Sequence, residues 1–124
     1  MNSKINILII DENNLHAHMA SMALEEEGFN VKIAMDCMHG LTVLKNFKPD
    51  LLITEWEIKK MDIIDYYSEI RKNQNELPII IYTNIPIESI AEEIRHNPKV
   101  SYINKEDGAG LLVEQVKQDL AGIL

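Results

Sequence analysis

Short β-branched apolar runs recur along this chain, each followed by a longer stretch whose apolar residues fall three and four apart, and few folds accept that alternation. The runs are INILII at 5–10, VKIAM at 31–35, LLIT at 51–54, IIIYT at 79–83 and SYIN at 101–104. Three are almost continuously apolar, as strands become when a parallel sheet is covered on both faces. Between and after them, residues 13–27, 37–47, 62–72, 86–96 and 109–123 read as helices. Ile87, Ile90, Ala91 and Ile94 form one buried stripe and Val113, Val116, Leu120 and Ile123 another.

Punctuation agrees with those limits. Gly28 follows the first helix where a left-handed cap is wanted, Pro78 precedes the fourth strand, and Pro86 stands where a first helical turn tolerates a missing N–H. Parallel strands need right-handed crossovers. The pattern therefore predicts an α/β fold: a (βα)5 doubly wound, five-stranded parallel sheet of the flavodoxin-like kind, with helices on both faces. At 124 residues the chain suits one domain spanning 1–124.

Charge narrows the function. Twelve Lys and Arg against twenty Asp and Glu leave a net charge of −8, which disfavours direct binding to nucleic acid or an anionic membrane. A lone Cys37, no apolar run long enough to span a bilayer and no leader-like start point to a cytoplasmic address. His16 and His18 are two apart on a predicted helix and make a poor metal pair, and Met19, Met22 and Met35 read as core fillers.

In an open parallel sheet, ligands bind beyond the carboxyl ends of the strands, where strand order reverses. That rule selects Asp11 and Glu12 after the first strand, Glu55 and Glu57 after the third, Thr83 and Asn84 at the fourth, and Lys105 after the fifth. Each has an ordinary structural explanation taken singly; their joint placement at one rim is what points to a site. Such a cluster of carboxylates suits a hard cation such as Mg²⁺, which needs one or two of them. An empty site, neutralised by Lys105 and solvent, satisfies the same residues.

Five segments in this order resemble the response-regulator receiver domains of two-component signalling, the CheY-like family, over nearly the whole length. They are ILIIDE at 7–12, LEEEGF at 24–29, PDLLITEWEIKKMD at 49–62, PIIIYT at 78–83 and YINK at 102–105. The resemblance implies metal positions at Asp11 and Glu12, with a backbone carbonyl near Glu57 completing weak Mg²⁺ binding. It implies phosphoryl-contacting positions at Thr83 and Lys105 and an aromatic switch position at Tyr102. Glu55 falls at the phosphoacceptor, where the family has Asp.

That departure directs the functional expectation. A Glu carboxylate stands about 1 Å further out than an Asp, and such misplacement costs on the order of a hundredfold in rate. Asn84 narrows the entrance where the family has Ala or Gly. Lys59 and Ile63 replace the usual Pro and Gly of the loop after the acceptor. Glu106 replaces the proline after the lysine, which predicts a trans bond, a shifted loop and a redirected Lys105.

The expectation is a non-enzymatic pseudo-receiver, a phosphorylation-independent protein-interaction module in which Glu55 mimics a phosphorylated acceptor. Its partner would be a sensor kinase, an output protein or a second copy. The contact face would be the fourth helix, fifth strand and fifth helix, with Glu88, Glu92, Arg95, Tyr102, Glu114, Lys117 and Asp119. Trp56 is expected to be exposed, as an anchor or a fluorescence reporter. The alternatives are a working phosphoreceiver fed by a histidine kinase and a flavodoxin-like small-ligand or cofactor protein. The second lacks a glycine-rich phosphate cradle after the first strand.

Overall fold

The computed structural model describes residues 4–124. Five strands form one parallel sheet in the order β2-β1-β3-β4-β5: β1 (Asn6–Ile10), β2 (Asn30–Ala34), β3 (Leu51–Thr54), β4 (Ile79–Thr83) and β5 (Val100–Asn104). The order reverses between β1 and β3, so the carboxyl ends of those strands open the crevice in which a doubly wound sheet places its ligands.

Alternation along each strand sends side chains to two separate cores. Ile7, Ile9, Leu51, Ile53 and Ile80 meet α1 (Asn14–Glu26) and α5 (Ala109–Asp119) through Ala17, Ala20, Leu24, Leu112, Val116 and Leu120. Leu8, Ile10, Leu52, Ile79 and Ile81 meet α2 (Cys37–Asn46), α3 (Ile63–Asn73) and α4 (Glu92–Arg95) on the other face. Both faces are therefore apolar, which is why the strands read as continuous rather than alternating runs.

Helix starts follow from side-chain caps. Asn13, Asp36 and Asp62 accept from the orphan amides of His16, His39 and both Ile64 and Asp65, respectively. Gly28 takes φ +93° after α1, the left-handed conformation expected there. In α2, Gly40 lies so close to Ile10 that an added Cβ would fall 2.3 Å from its Cδ1; the missing side chain lets α2 seat against β1.

Three expectations need correction. The predicted 86–96 helix is a 3₁₀ turn at Ile87–Ser89, an extended break at Ile90 and Ala91, and a short α4. Ile90 and Ile94 are buried as the stripe requires, but a spacing of three or four is met as well by a 3₁₀ turn plus one α turn. The predicted 109–123 helix stops at Asp119, and Ile123 is exposed. Met19 and Met22 lie on the surface, because the small residues Ala17, Ala20 and Ser21, with Leu24, form the buried side of α1, and Met35, just after β2, is exposed as well.

Candidate functional site

β1 delivers Asp11 to the crevice, and backbone geometry holds it there: its own N–H donates to Ala34, and its Oδ1 accepts from the Asn13 N–H at 2.9 Å. β3 ends one residue before Glu55, whose N–H continues the ladder to the Ile10 carbonyl at 2.9 Å. Thr83 closes β4 and Lys105 opens the 3₁₀ turn that follows β5. All four side chains converge.

Lys105 is the hub. Its Nζ stands 2.8 Å from Asp11 Oδ2 and 2.8 Å from Glu55 Oε1, with the lysine side chain only 6% exposed and the carboxylates 4% and 14%. The Glu55 Oε2 accepts from the Thr83 hydroxyl and from the backbone N–H groups of Trp56 (2.6 Å) and Glu57 (2.9 Å). Every oxygen of the two buried carboxylates therefore has a donor from the chain itself. The redirected Lys105 expected from Glu106 is not found. Asn104 accepts from the Glu106 N–H at 2.8 Å and caps the 3₁₀ turn, leaving the lysine aimed into the crevice; no peptide bond among the described residues is cis.

The electrostatics follow from this packing. Burial alone would push the Glu55 carboxyl up, but the Glu57 N–H, the Lys105 ammonium and the Thr83 hydroxyl outweigh it and hold it below its ordinary value. Burial would likewise lower Lys105, and the two carboxylates outweigh that, raising it. Glu55 is thus held ionised and Lys105 protonated around neutral pH.

A run of hydrogen bonds leads from this cluster to the surface. Thr83 Oγ1, while donating to Glu55, accepts from the Ile85 N–H at 3.2 Å. The Ile85 carbonyl accepts from the Tyr102 hydroxyl at 2.6 Å, and that hydroxyl accepts from Asn104 Nδ2 at 3.2 Å. Tyr102 itself is half-buried against the α4 side of the core. Sequence reasoning found Thr83 and Tyr102 but missed Ile85 and Asn104. Ile85 acts through its backbone, which no side-chain pattern reports, and an Asn before a short turn is common.

Some candidates lie apart. Glu12 and Glu57 are exposed; Glu57 meets the site only through its N–H. Thr54, adjacent to Glu55, faces the opposite side of the sheet and shares a 2.7 Å hydrogen bond with the buried Tyr66 hydroxyl. Trp56, expected on the surface, is 5% exposed, with ring centroids 6.5 Å from Tyr66 and 6.1 Å from Tyr67. The turn after β3 folds it back over α3.

A doubly wound parallel sheet with carboxylates, a hydroxyl and a lysine gathered beyond its strands defines an α/β domain with a polar site in its crevice. The chain belongs to the response regulator receiver domain family, whose pattern matches residues 7–117. Among solved structures it is similar to a CheY-like receiver domain protein from Methanospirillum hungatei, with a TM-score of 0.85, 23% identity, and 97% of this chain and 96% of that one covered. CheY4 of Vibrio cholerae gives 0.84 at 18% identity, covering 95% and 100%. Among curated proteins, the transcriptional regulatory protein GlrR of Escherichia coli is 32% identical over 77 residues, 62% of this chain and 17% of that protein. The probable transcriptional regulatory protein TcrX of Mycobacterium tuberculosis is 27% identical over 79 residues, 64% of this chain and 34% of that protein. The chain thus spans 34% and 17% of the length of these relatives, and it shares with them the receiver module of two-component signalling.

Receiver domains normally bind Mg²⁺ at this rim. Asp11 and the exposed Glu12 beside it are the carboxylates that would hold such an ion, with a backbone carbonyl near Glu57; each Asp11 oxygen accepts one hydrogen bond, from Lys105 or from the Asn13 N–H, and keeps a second lone pair. Among the described residues, no three His, Cys, Asp or Glu side chains converge, and a site of two carboxylates does not call for three. No helix among the described residues is long and apolar enough to cross a membrane.

Proposed function

We propose that this receiver module signals through protein contacts without taking up a phosphoryl group, with Glu55 standing in for a phosphorylated acceptor. The observation that carries the reading is that one Glu55 carboxylate engages Lys105 through Oε1 and Thr83 through Oε2. Those are the two groups that steady phosphoryl oxygens in the family the sequence resembles. Of the three Lys105 N–H donors, two are already taken, by Asp11 and by Glu55.

Geometry also argues against group transfer. Lys105, the Thr83 hydroxyl and two backbone amides fix the Glu55 oxygens in place, so any attack would have to work against those contacts. Asn84 is exposed at the end of β4, beside the approach to the cluster. The Lys105 ammonium supplies the positive charge between the two carboxylates that a divalent ion would otherwise supply. In this reading the module needs neither metal nor phosphodonor, performs no catalysis and acts in the cytoplasm.

The output face is assigned to α4, β5 and α5. Lys117 is already paired with Glu27, and Asp119 accepts from Ser101 and Gln115. Glu88, Glu92 and Glu114 remain exposed there. With the partly exposed Arg95 beside them the face is mixed in sign, and it suits a polar protein interface.

The deciding experiment is incubation with acetyl phosphate and Mg²⁺ followed by intact-mass measurement, with E55D alongside. The wild-type chain should gain no phosphoryl adduct. A stoichiometric adduct on the wild-type chain would overturn the proposal in favour of a working phosphoreceiver. An adduct on E55D alone would show that acceptor length was the obstacle.

A further inference from the structure

Between the last turns of α2 and α3 lies a groove of about 330 Å³. α2 ends just before β3 begins and α3 just before β4, so these turns sit at the amino ends of the strands, away from the Glu55 cluster. Leu41, Leu44 and Ile70 form the apolar bed, and Lys45, Lys48, Glu69 and Gln74 stand around it. Leu44 and Ile70 are themselves core residues, 7% and 2% exposed. An apolar concavity of this size with a few polar groups converging on it has the make-up of a small-molecule pocket.

The walls are fixed by the chain itself. Arg71 Nη1 donates to the carbonyls of Gln74 at 3.1 Å and Leu77 at 2.6 Å, and Nη2 to that of Lys99 at 3.4 Å, which sets the turn after α3. After α2 the Phe47 N–H donates to the Val43 carbonyl at 2.8 Å, and the Phe47 ring turns away to lie 4.9 Å from Lys32 Nζ. The one aromatic side chain between Lys45 and Lys48 therefore borders a different hollow and leaves this one open. A groove formed in advance spends little binding energy on ordering itself.

Charge selects the ligand. Lys45 and Lys48 are exposed, and among the described residues neither lies within ion-pair distance of a carboxylate. In a chain of net charge −8, two unpaired ammonium groups beside an apolar bed favour an anion with an apolar body. Glu69, which meets Lys72 at 3.5 Å, stands on the same rim and opposes a doubly charged head such as phosphate. The Gln74 amide adds an uncharged donor.

We infer that this groove binds a small amphiphilic acid, its singly charged carboxylate held by Lys45, Lys48 and Gln74 and its alkyl or aryl body lying on Leu41, Leu44 and Ile70. The site does not depend on whether Glu55 mimics a phosphorylated acceptor. A ligand of about a dozen heavy atoms gives a dissociation constant on the order of 0.1 mM.

The test titrates the full chain with decanoate, kept below the concentration at which it forms micelles, and follows backbone amide chemical shifts. Saturable shifts should concentrate at residues 41–48 and 69–74. Decanol, which lacks the charge, and acetate, which lacks the chain, should each bind about tenfold more weakly or worse. K45Q/K48Q, changed only at exposed positions, should weaken decanoate about tenfold at low salt, leave decanol unchanged and differ little from wild type near 1 M salt, where charges are screened. L41W, which fills the groove from its half-buried wall, should abolish decanoate binding with an unchanged circular dichroism spectrum. Equal affinity for decanol, shifts that fall elsewhere, or no effect of K45Q/K48Q would overturn the inference, as would tighter binding of decyl phosphate than of decanoate. Association with phosphatidylglycerol vesicles that K45Q/K48Q abolishes, with no shifts from monomeric decanoate, would overturn it in favour of a membrane surface.

Discussion

The Tyr102 hydroxyl donates to the Ile85 carbonyl at 2.6 Å, which ties β5 to the loop that leaves β4 two residues beyond Thr83. Through Thr83 Oγ1 and the Ile85 N–H, the same loop is tied to Glu55. A change at the carboxylate therefore has a continuous polar route to the surface formed by β5 and the segment that includes α4.

Tyr102→Phe cuts that route at one atom and leaves the ring in place. The Ile85 carbonyl loses its donor, so stability should fall by about 1 kcal/mol. The more informative readout is local. Amide exchange over residues 85–91 should accelerate while the strand amides of β1 and β3 stay protected. Unchanged protection across 85–91 would show that the hydrogen bond does not restrain the loop.

Glu55→Gln tests the other end. The amide retains an acceptor for Thr83 but loses its charge toward Lys105, which keeps Asp11. The expected loss is about 2 kcal/mol by urea denaturation, less than for stripping a buried charge of all its partners. If Glu55 biases the switch, the Tyr102 ring resonances should shift together with partner affinity. A ring spectrum superimposable on wild type would remove the basis for the mimic.

Strand positions were legible because five apolar runs have few ways to be buried, and the rim residues followed from the rule that places ligands beyond parallel strands. What escaped was phase and direction. α1 has apolar residues on two sides, so periodicity alone could not say that the small residues face the sheet and the methionines face water. Around α4 the i, i+3 spacing fits two kinds of helix. Lys105 was misjudged because Glu106 was weighed as a lost proline, whereas the Asn104 side chain supplies the cap that sets the turn. Trp56 depended on where the loop after β3 folds, a tertiary matter that the local sequence does not encode.

Thr54 and Tyr66 form a polar pair sealed between β3 and α3, both fully buried, and burial pushes the Tyr66 hydroxyl well above its ordinary pKa. Thr54→Val alone leaves the tyrosine hydroxyl without its partner and should cost about 1–3 kcal/mol. The double variant T54V/Y66F removes both groups and should recover most of that loss. A double-mutant cycle with coupling near zero would mean that the hydroxyls contribute independently of one another.

The ionisation of the cluster sets the pH range of the fold. The Glu55 carboxyl lies below its ordinary 4.5 in the folded chain, so its stabilisation is complete above that value and is lost as pH falls through the lower, folded one. Lys105 lies above its ordinary 10.5, so its share is complete below 10.5 and is lost as pH rises through the higher, folded value. Between roughly pH 5 and 10 the two contributions coexist and should give a plateau. Urea midpoints measured across pH should show the gap between wild type and E55Q constant on that plateau and shrinking below pH 4.5, where wild type loses what the amide never had. A gap that stays constant into acid would mean that the Glu55 charge does not hold the cluster together, and the neutral hydrogen bond to Thr83 would then be the contact that matters.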